Sequence, residues 1–240
     1  HGRRAARDVA PHGGARHMCN RGRDLRLETL SASPPVFRVP GLLSACECEA
    51  IVSSARGAPA ARSEISSGAS ELRRSRTAFV RLQGSSELAA FAERASCVLG
   101  LRTEALLAHA EAMQVVQYPA GGYYDVHVDA SEFQPRHATL LCYLRSPEQG
   151  GETVFPLAGA LDEQVAPLSR FEEARSWIRH GLWAGEPTGL SVRPDAGDAI
   201  LWYNLGQGDD PDLRTCHAAL AVGKGEKWVA NLWIAVETPS

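Results

Sequence analysis

The clearest apolar periodicity lies early in the chain. Cys48, Ile51, Val52 and Ala55 recur at i, i+3, i+4 and i+7, the stripe of an amphipathic helix. Ser44 precedes the stripe and Glu47 stands three residues on, so the two can form the capping box that starts a helix. Leu88, Phe91, Ala92, Ala95, Val98 and Leu99 share a second helical face over about 86–99, with Gly100 as its stop. A short third helix is expected around 103–110. Ahead of the first helix, Pro34-Pro35-Val36-Phe37-Arg38-Val39-Pro40 reads as an extended strand. Residues 57–75 are polar with Gly, Pro and Ser, the composition of a mobile loop.

After residue 112 the texture changes to short apolar or alternating runs. They are Met113–Tyr118, Ala138–Leu144, Thr153–Phe155, Ala199–Tyr203, Cys216–Leu220 and Trp228–Val236. Gly121-Gly122, Gly150-Gly151 and Pro194-Asp195-Ala196-Gly197-Asp198 punctuate them. Many short strands with turn signals predict a β sandwich or jelly roll. Helices followed by a β core make the fold class α+β. The expected organisation is an irregular basic extension over 1–33 and a single domain over 34–240. That domain has helices at about 44–110, a β core at about 112–236, and a partly helical insertion at about 157–189 that carries Trp177 and Trp183.

Composition narrows the class without naming a chemistry. With 240 residues, 44% hydrophobic and 22% charged, the chain can bury a core of useful size. No window approaches the roughly 20 apolar residues of a membrane span. The net charge of -3 gives no support for nucleic acid as a partner. Seven arginines against Asp8 and Asp24 give residues 1–26 a charge of +5, which leaves -8 for the rest. That start reads as a solvated basic tail or the remnant of a targeting segment. Cys19, Cys46, Cys48, Cys97, Cys142 and Cys216 form no CxxC pair, so a structural zinc site is not indicated. Cys142 and Cys216 lie in apolar runs and read as small buried hydrophobes.

The chemistry concentrates at His127-Val128-Asp129. Residues two apart on a strand point to one side, so an imidazole and a carboxylate can meet one metal ion. His217, in the strand-like run Arg214–Ala218, is the best candidate for a third ligand. Two histidines and one carboxylate on one face of an octahedral metal leave three positions open, the facial triad of non-haem Fe(II) oxygenases. His109, His137 and His180 read as ordinary helical, surface or satisfied histidines. A chelating 2-oxoacid with a distal carboxylate needs a cation at a fixed distance from that metal. Lys227, ten positions beyond His217 and at the start of a strand-like run, is the candidate, while Lys224 sits in the Gly223-Lys224-Gly225 turn.

These residues lie within longer stretches: MQVVQYPAGGYYDVHVD (113–129), RHATLLCYL (136–144), GGETVFP (150–156), VRPDAGDAILWYN (192–204) and RTCHAALAVGKGEKWVANLWI (214–234). With PPVFRVPGLLSACECEAIVSSAR (34–56), they resemble the catalytic domain of prolyl 4-hydroxylases of the alpha-subunit type, which are Fe(II)- and 2-oxoglutarate-dependent dioxygenases. The resemblance spans about residues 34–236, apart from the polar loop and the insertion. It implies a double-stranded β-helix (jelly-roll) core behind supporting helices. By the same resemblance, the metal ligands are His127, Asp129 and His217, and Lys227 completes the catalytic set. Lys227, Tyr118 and Thr153 hold the cosubstrate carboxylate, and Tyr124, Arg136 and Trp233 line the peptide groove. Fe(II), 2-oxoglutarate and O2 are implied as reactants and cofactors, ascorbate as reductant, and a proline-containing peptide or protein as partner. Succinate and CO2 are the implied coproducts. The endoplasmic reticulum lumen or secretory pathway is the implied location, with the cytoplasm left open.

The residues by themselves leave two further readings. One is a 2-oxoglutarate oxygenase acting on lysyl, other peptidyl or small-molecule substrates. The other is a non-catalytic peptide-binding module on the same fold. The stretch between Asp129 and Arg136 is short for the family, and residues 57–75 match none of its segments closely.

Overall fold

A computed structural model of the chain describes residues 15–20, 23–58, 61–62, 73–82, 86–131, 136–160, 175–176, 178, 189–206 and 210–235. Three helices among them support two facing sheets. The helices are α1 (Ala45–Gly57), α2 (Ser86–Leu99) and α3 (Thr103–His109). The strands in chain order are β1 (Ala15–Asn20), β2 (Arg23–Ala32), β3 (Pro35–Val39), β4 (Ala61–Arg62), β5 (Arg76–Val80), β6 (Met113–Tyr118), β7 (Tyr124–His127) and β8 (Arg136–Arg145). They continue with β9 (Gln149–Gly150), β10 (Thr153–Phe155), β11 (Leu190–Val192), β12 (Ala199–Tyr203), β13 (His217–Ala219), β14 (Val222–Lys224) and β15 (Lys227–Ala235). The large sheet has the order β1-β2-β3-β12-β8-β15-β6-β5-β4, the small one β11-β10-β13-β7, and β14 pairs with β9 apart from both.

The helices form where the apolar spacing puts them. Ser44 and Glu47 make a complete capping box at the start of α1, with the Ser44 N–H and hydroxyl both donating to Glu47 Oε2 at 2.8 Å. Ile51, Val52, Phe91 and Ala95 from α1 and α2 then pack on the outer face of the large sheet, against Leu140, Cys142, Leu201, Ala230 and Leu232. Each fully buried aliphatic or aromatic side chain there contributes about 1.5–3 kcal/mol.

Strand alternation sends the other residues of β8, β12 and β15 to the opposite face. Leu141, Tyr143, Ile200, Trp202 and Val229 meet Val116 and Tyr118 of β6, together with Phe155 and Val192 from the small sheet. This inner space between the sheets is where the chemistry collects. The architecture is α+β, a double-stranded β-helix with supporting helices. A third cluster lies behind the small sheet, where Val126, Val154, Cys216 and Ala218 pack with Leu157 and Ile178. Cys142 and Cys216 are both buried and unbridged.

Two expectations need adjustment, and a third is met as far as the described residues go. The supposedly irregular stretch over 1–33 contains β1 and β2, with β2 paired to β3 through Glu28↔Arg38 and Thr29↔Phe37. Its arginine content masks an alternation in which Leu25, Leu27, Thr29 and Ser31 are buried. In the polar loop, Ala61–Arg62 pairs with β5, and Arg73 bridges Tyr124. In the insertion, Arg175, Ser176 and Ile178 are helical, while Trp177, Trp183 and His180 lie outside the described residues.

Candidate active site

β7 and β13 are antiparallel neighbours, and their register sets His127 directly opposite His217. The two imidazole centroids are 4.2 Å apart. β7 ends at His127, so Asp129 stands in the bend just beyond the strand rather than on it. Its carboxylate still reaches both rings. Oδ1 lies 3.9 Å from His127 Nε2, and Oδ2 lies 3.8 Å from His217 Nε2. Among the described residues these are the only three whose ligand atoms gather as a metal site would require, all within 4.8 Å of one another.

Hydrogen bonds orient each of the three. His127 Nδ1 donates to the Asp125 carbonyl at 2.8 Å, and His217 Nδ1 donates to the Thr215 carbonyl at 2.9 Å. Each donation leaves Nε2 as the nitrogen turned toward Asp129. Thr139 Oγ1 donates to Asp129 Oδ2 at 2.7 Å and in turn accepts from Asn204 Nδ2 at 2.9 Å. Outer partners of this kind are what fix tautomer and direction in metal-ligating side chains.

The protonation states agree with that role. Burial, reinforced by the neighbouring His217, pushes the His127 imidazole down to about 3. Burial alone would raise the Asp129 carboxyl, but His217, His127 and the Thr139 hydroxyl hold it below its ordinary value. A neutral imidazole and an ionised carboxylate are the metal-binding forms. The donor set of two imidazoles and one carboxylate therefore fits Fe(II). Trp202 and Phe155 wall the His217 ring, with centroids at 4.8 and 5.5 Å.

Lys227 opens β15 on the inner face and is 1% exposed. Its Nζ donates to the Gly151 carbonyl at 2.7 Å and to Thr153 Oγ1 at 3.4 Å. Tyr143 donates its hydroxyl to the same Thr153 oxygen at 3.0 Å. Tyr118 faces Lys227 across the β6–β15 register, with Nζ 5.5 Å from its ring centre. Gly151, at φ +76, keeps this corner open, because a Cβ there would sit 3.3 Å from Lys227 Cδ. No carboxylate of the described residues forms an ion pair with Lys227. A buried ammonium without a counter-ion is costly and suits an anionic ligand such as 2-oxoglutarate. Burial lowers Lys227 to about 7, against the weaker pull of Glu152. Lys224 instead is exposed and pairs with Glu148.

The remaining candidates surround the triad. The Tyr124 ring stacks on His127 at 3.7 Å with 20° between planes. Arg136 lies with its guanidinium carbon 3.6 Å over the Trp233 ring. It also donates to both oxygens of Glu111, at 2.6 and 2.8 Å, and to the Asp129 carbonyl at 3.3 Å. His109 ends α3, and His137 stands edge-on to Tyr203, so neither joins the site.

Sequence reasoning missed Thr139, Tyr143, Asn204, Glu111 and Arg73. The alternation along β8, which puts Thr139, Leu141 and Tyr143 on the face of the triad, was a usable signal for the first two. Arg73 had none, since it reaches Tyr124 through an isolated bridge from a segment without periodicity.

The family model of the 2OG-Fe(II) oxygenase superfamily matches residues 113–235. The chain is 32% identical over 222 residues to prolyl 4-hydroxylase 13 of Arabidopsis thaliana, covering 87% of this chain and 74% of that relative. It is 33% identical over 154 residues to the transmembrane prolyl 4-hydroxylase of Homo sapiens, covering 53% of this chain and 30% of that one. No helix of the described residues is long and apolar enough to cross a membrane. In fold it is similar to the viral collagen prolyl hydroxylase vCPH of Paramecium Bursaria Chlorella virus-1 in its 2OG complex. The TM-score is 0.55 at 24% identity over 84% of this chain and 96% of that one. It is likewise similar to a Trichoplax adhaerens prolyl hydroxylase in complex with a hypoxia inducible factor peptide fragment, at TM-score 0.54 and 14% identity over 85% of this chain and 84% of that one. The chain belongs to the 2OG-Fe(II) oxygenase superfamily and is a 2-oxoglutarate-dependent dioxygenase.

Proposed function

We propose that this dioxygenase hydroxylates peptidyl-proline, as a prolyl 4-hydroxylase does. The observation that carries the reading is the convergence of His127, Asp129 and His217, with Tyr124 stacked on His127 and Arg136 lying over Trp233 beside Asp129. The buried Lys227 corner lies on the inner side. Relatives named as prolyl 4-hydroxylases support the same substrate.

In the reaction, one oxygen atom of O2 enters the substrate hydroxyl and the other enters succinate as 2-oxoglutarate loses CO2. His127, His217 and Asp129 would hold Fe(II), which would supply the activation of O2 that this chemistry requires. The protein supplies position and charge. Lys227 and Thr153, with the Tyr118 hydroxyl, hold the distal carboxylate of the cosubstrate. Phe155 and Trp202 exclude water behind His217. Tyr124, Arg136 and Trp233 seat the peptide. Ascorbate would serve as the reductant that keeps bound iron ferrous.

The test incubates proline-containing peptides with the protein, Fe(II), 2-oxoglutarate and ascorbate, and follows oxygen gain on proline by mass spectrometry alongside succinate release. Hydroxyproline formation that disappears in His217→Ala is the expected result. Succinate release without any proline oxidation over a broad peptide panel would move the substrate to another residue or a small molecule. No succinate at all would leave a binding module.

A further inference from the structure

The segment ahead of β5 carries a cation that the chemistry above does not use. Arg73 lies with its guanidinium carbon 4.5 Å from the centre of the Tyr124 ring, and that ring stacks on the metal ligand His127. The placement is built rather than incidental. Arg73 forms a β-bridge with Tyr124, the next residue donates its Arg74 N–H to the Tyr123 carbonyl at 2.9 Å, and the Arg73 guanidinium donates to Ser75 Oγ at 2.7 Å and Thr77 Oγ1 at 3.2 Å. Both hydroxyls are neutral. Among the described residues no carboxylate pairs with Arg73, although it is only partly exposed.

Two further arginines approach the same tyrosine from other parts of the chain. Arg175, from the insertion, lies 3.8 Å from Asp125 Oδ2, and Arg136 is bound to Glu111. Burial raises the Tyr124 hydroxyl, and the charges of Arg73, Arg175 and Arg136 all oppose that rise. Arg74 adds an exposed charge beside the Gly121 turn, where its Nη1 would lie 3.3 Å from a Cβ at Gly121. Asp129 is committed to the triad, Glu111 to Arg136, and Asp125 is buried under Arg175. The surroundings of Tyr124 are therefore electropositive on the side of Arg73. Arg73 also hydrogen-bonds the Tyr118 hydroxyl, so it stands between Tyr124, which stacks on His127, and Tyr118 in the cosubstrate corner.

We infer that Arg73, with Arg175 and Arg136 around Tyr124, recognises an anion on the substrate and favours peptides with a Glu or Asp side chain next to the hydroxylated proline. The inference rests on the prolyl reading and sharpens its substrate class. Ser75 and Thr77 take N–H groups from Nε and one Nη of Arg73, and a carboxylate can take those that remain along the guanidinium edge while its face stays on Tyr124.

The experiment uses the full chain with Fe(II) and 2-oxoglutarate, and three synthetic peptides that differ only in Glu, Gln or Lys beside one target proline. Oxygen gain on that proline gives kcat/KM, and fluorescence anisotropy gives peptide affinity. The Glu peptide is expected to exceed the Gln peptide by about tenfold in kcat/KM, with Lys lowest, and added salt narrows the gap. R73Q brings the Glu-to-Gln ratio close to one, R175Q lowers it part way, and R73K retains part of it. Equal wild-type values for Glu and Gln peptides would overturn the inference. So would an R73Q variant that lowers all three peptides by one factor. Should no peptide gain oxygen, the prolyl reading fails, and anisotropy still decides whether the Glu peptide is bound in preference.

Discussion

Thr139 Oγ1 stands 2.7 Å from Asp129 Oδ2 and donates to it from a fully buried position on β8. The relay continues to Asn204, just past the end of β12, so the carboxylate is aimed by two neighbouring segments of the large sheet. Thr139→Val keeps the shape and removes the donor. Metal affinity should fall about 10- to 100-fold, the usual cost of losing an outer partner of a metal ligand. The Asn204 amide loses its acceptor as well, at about 1–3 kcal/mol of stability. Thr139→Ser should restore metal affinity. Titration of both variants with Fe(II) or Mn(II), followed by chelator competition, reads the effect directly. Equal affinity in Thr139→Val and wild type would show that Asp129 needs no orientation from β8.

Lys227 gives the site a pH signature. Burial holds its ammonium near 7 before any anion is present. Binding the cosubstrate carboxylate favours the charged form and raises that value. The complex therefore takes up a proton when it forms above about pH 7 and takes up none well below it, and 2-oxoglutarate affinity declines as pH rises through that range. Calorimetry in two buffers of different ionisation enthalpy measures the uptake. Lys227→Met should abolish it. Lys227→Ala should raise the 2-oxoglutarate requirement far more than the peptide requirement. An unchanged cosubstrate requirement would shift the anchor away from this corner.

Arg136 tests the peptide side. Its guanidinium lies flat over Trp233 and forks onto Glu111. Lysine can reproduce neither the stack nor the two-pronged pairing. Arg136→Lys and Glu111→Gln should each raise the peptide KM by about tenfold or more, a loss of roughly 1.4 kcal/mol, with the larger effect in Arg136→Lys. The 2-oxoglutarate KM should move much less. Steady-state kinetics with each substrate varied in turn separates the two. A parallel rise in both KM values would mean that Arg136 supports the triad through the Asp129 carbonyl rather than the groove.

The helices, β6, β8, β10, β12 and β15 were legible because each carries a regular apolar period and a cap, glycine or turn at its end. The triad and Lys227 were legible for a different reason. HxD stands in one short run and Lys227 lies ten positions beyond His217, spacings visible in the chain without knowing the fold between them. What stayed hidden depends on partners far apart in the chain. β2 carries Leu25 and Leu27 among Arg23, Asp24, Arg26 and Glu28, so its alternation reads as charge. Asp129 sits past the end of β7 because the chain bends there, which no two-residue period foretells. Arg73 and Glu111 acquire meaning only through Tyr124 and Arg136, which lie 51 and 25 positions away.

The support of the sheet also has a weak point that can be measured. Arg94 of α2 donates to Glu47 Oε1 at 2.7 Å and to the Leu42 carbonyl at 2.8 Å, and both charged side chains are about nine-tenths buried. Burial alone would raise the Glu47 carboxyl, but Ser44 and Arg94 hold it below its ordinary value of 4.5. A carboxylate with a lowered value contributes stability that is present above pH 4.5 and lost as pH falls further. Glu47→Gln breaks the pair and leaves the Arg94 charge buried, so unfolding by urea should show a loss of about 3–5 kcal/mol. The double variant Glu47→Gln/Arg94→Met removes that stranded charge and should recover a large part of the loss. It should also lose less stability than wild type between neutral and acid pH. If the double variant is no more stable than Glu47→Gln alone, the cost lies in the lost cap on α1 and not in the uncompensated charge.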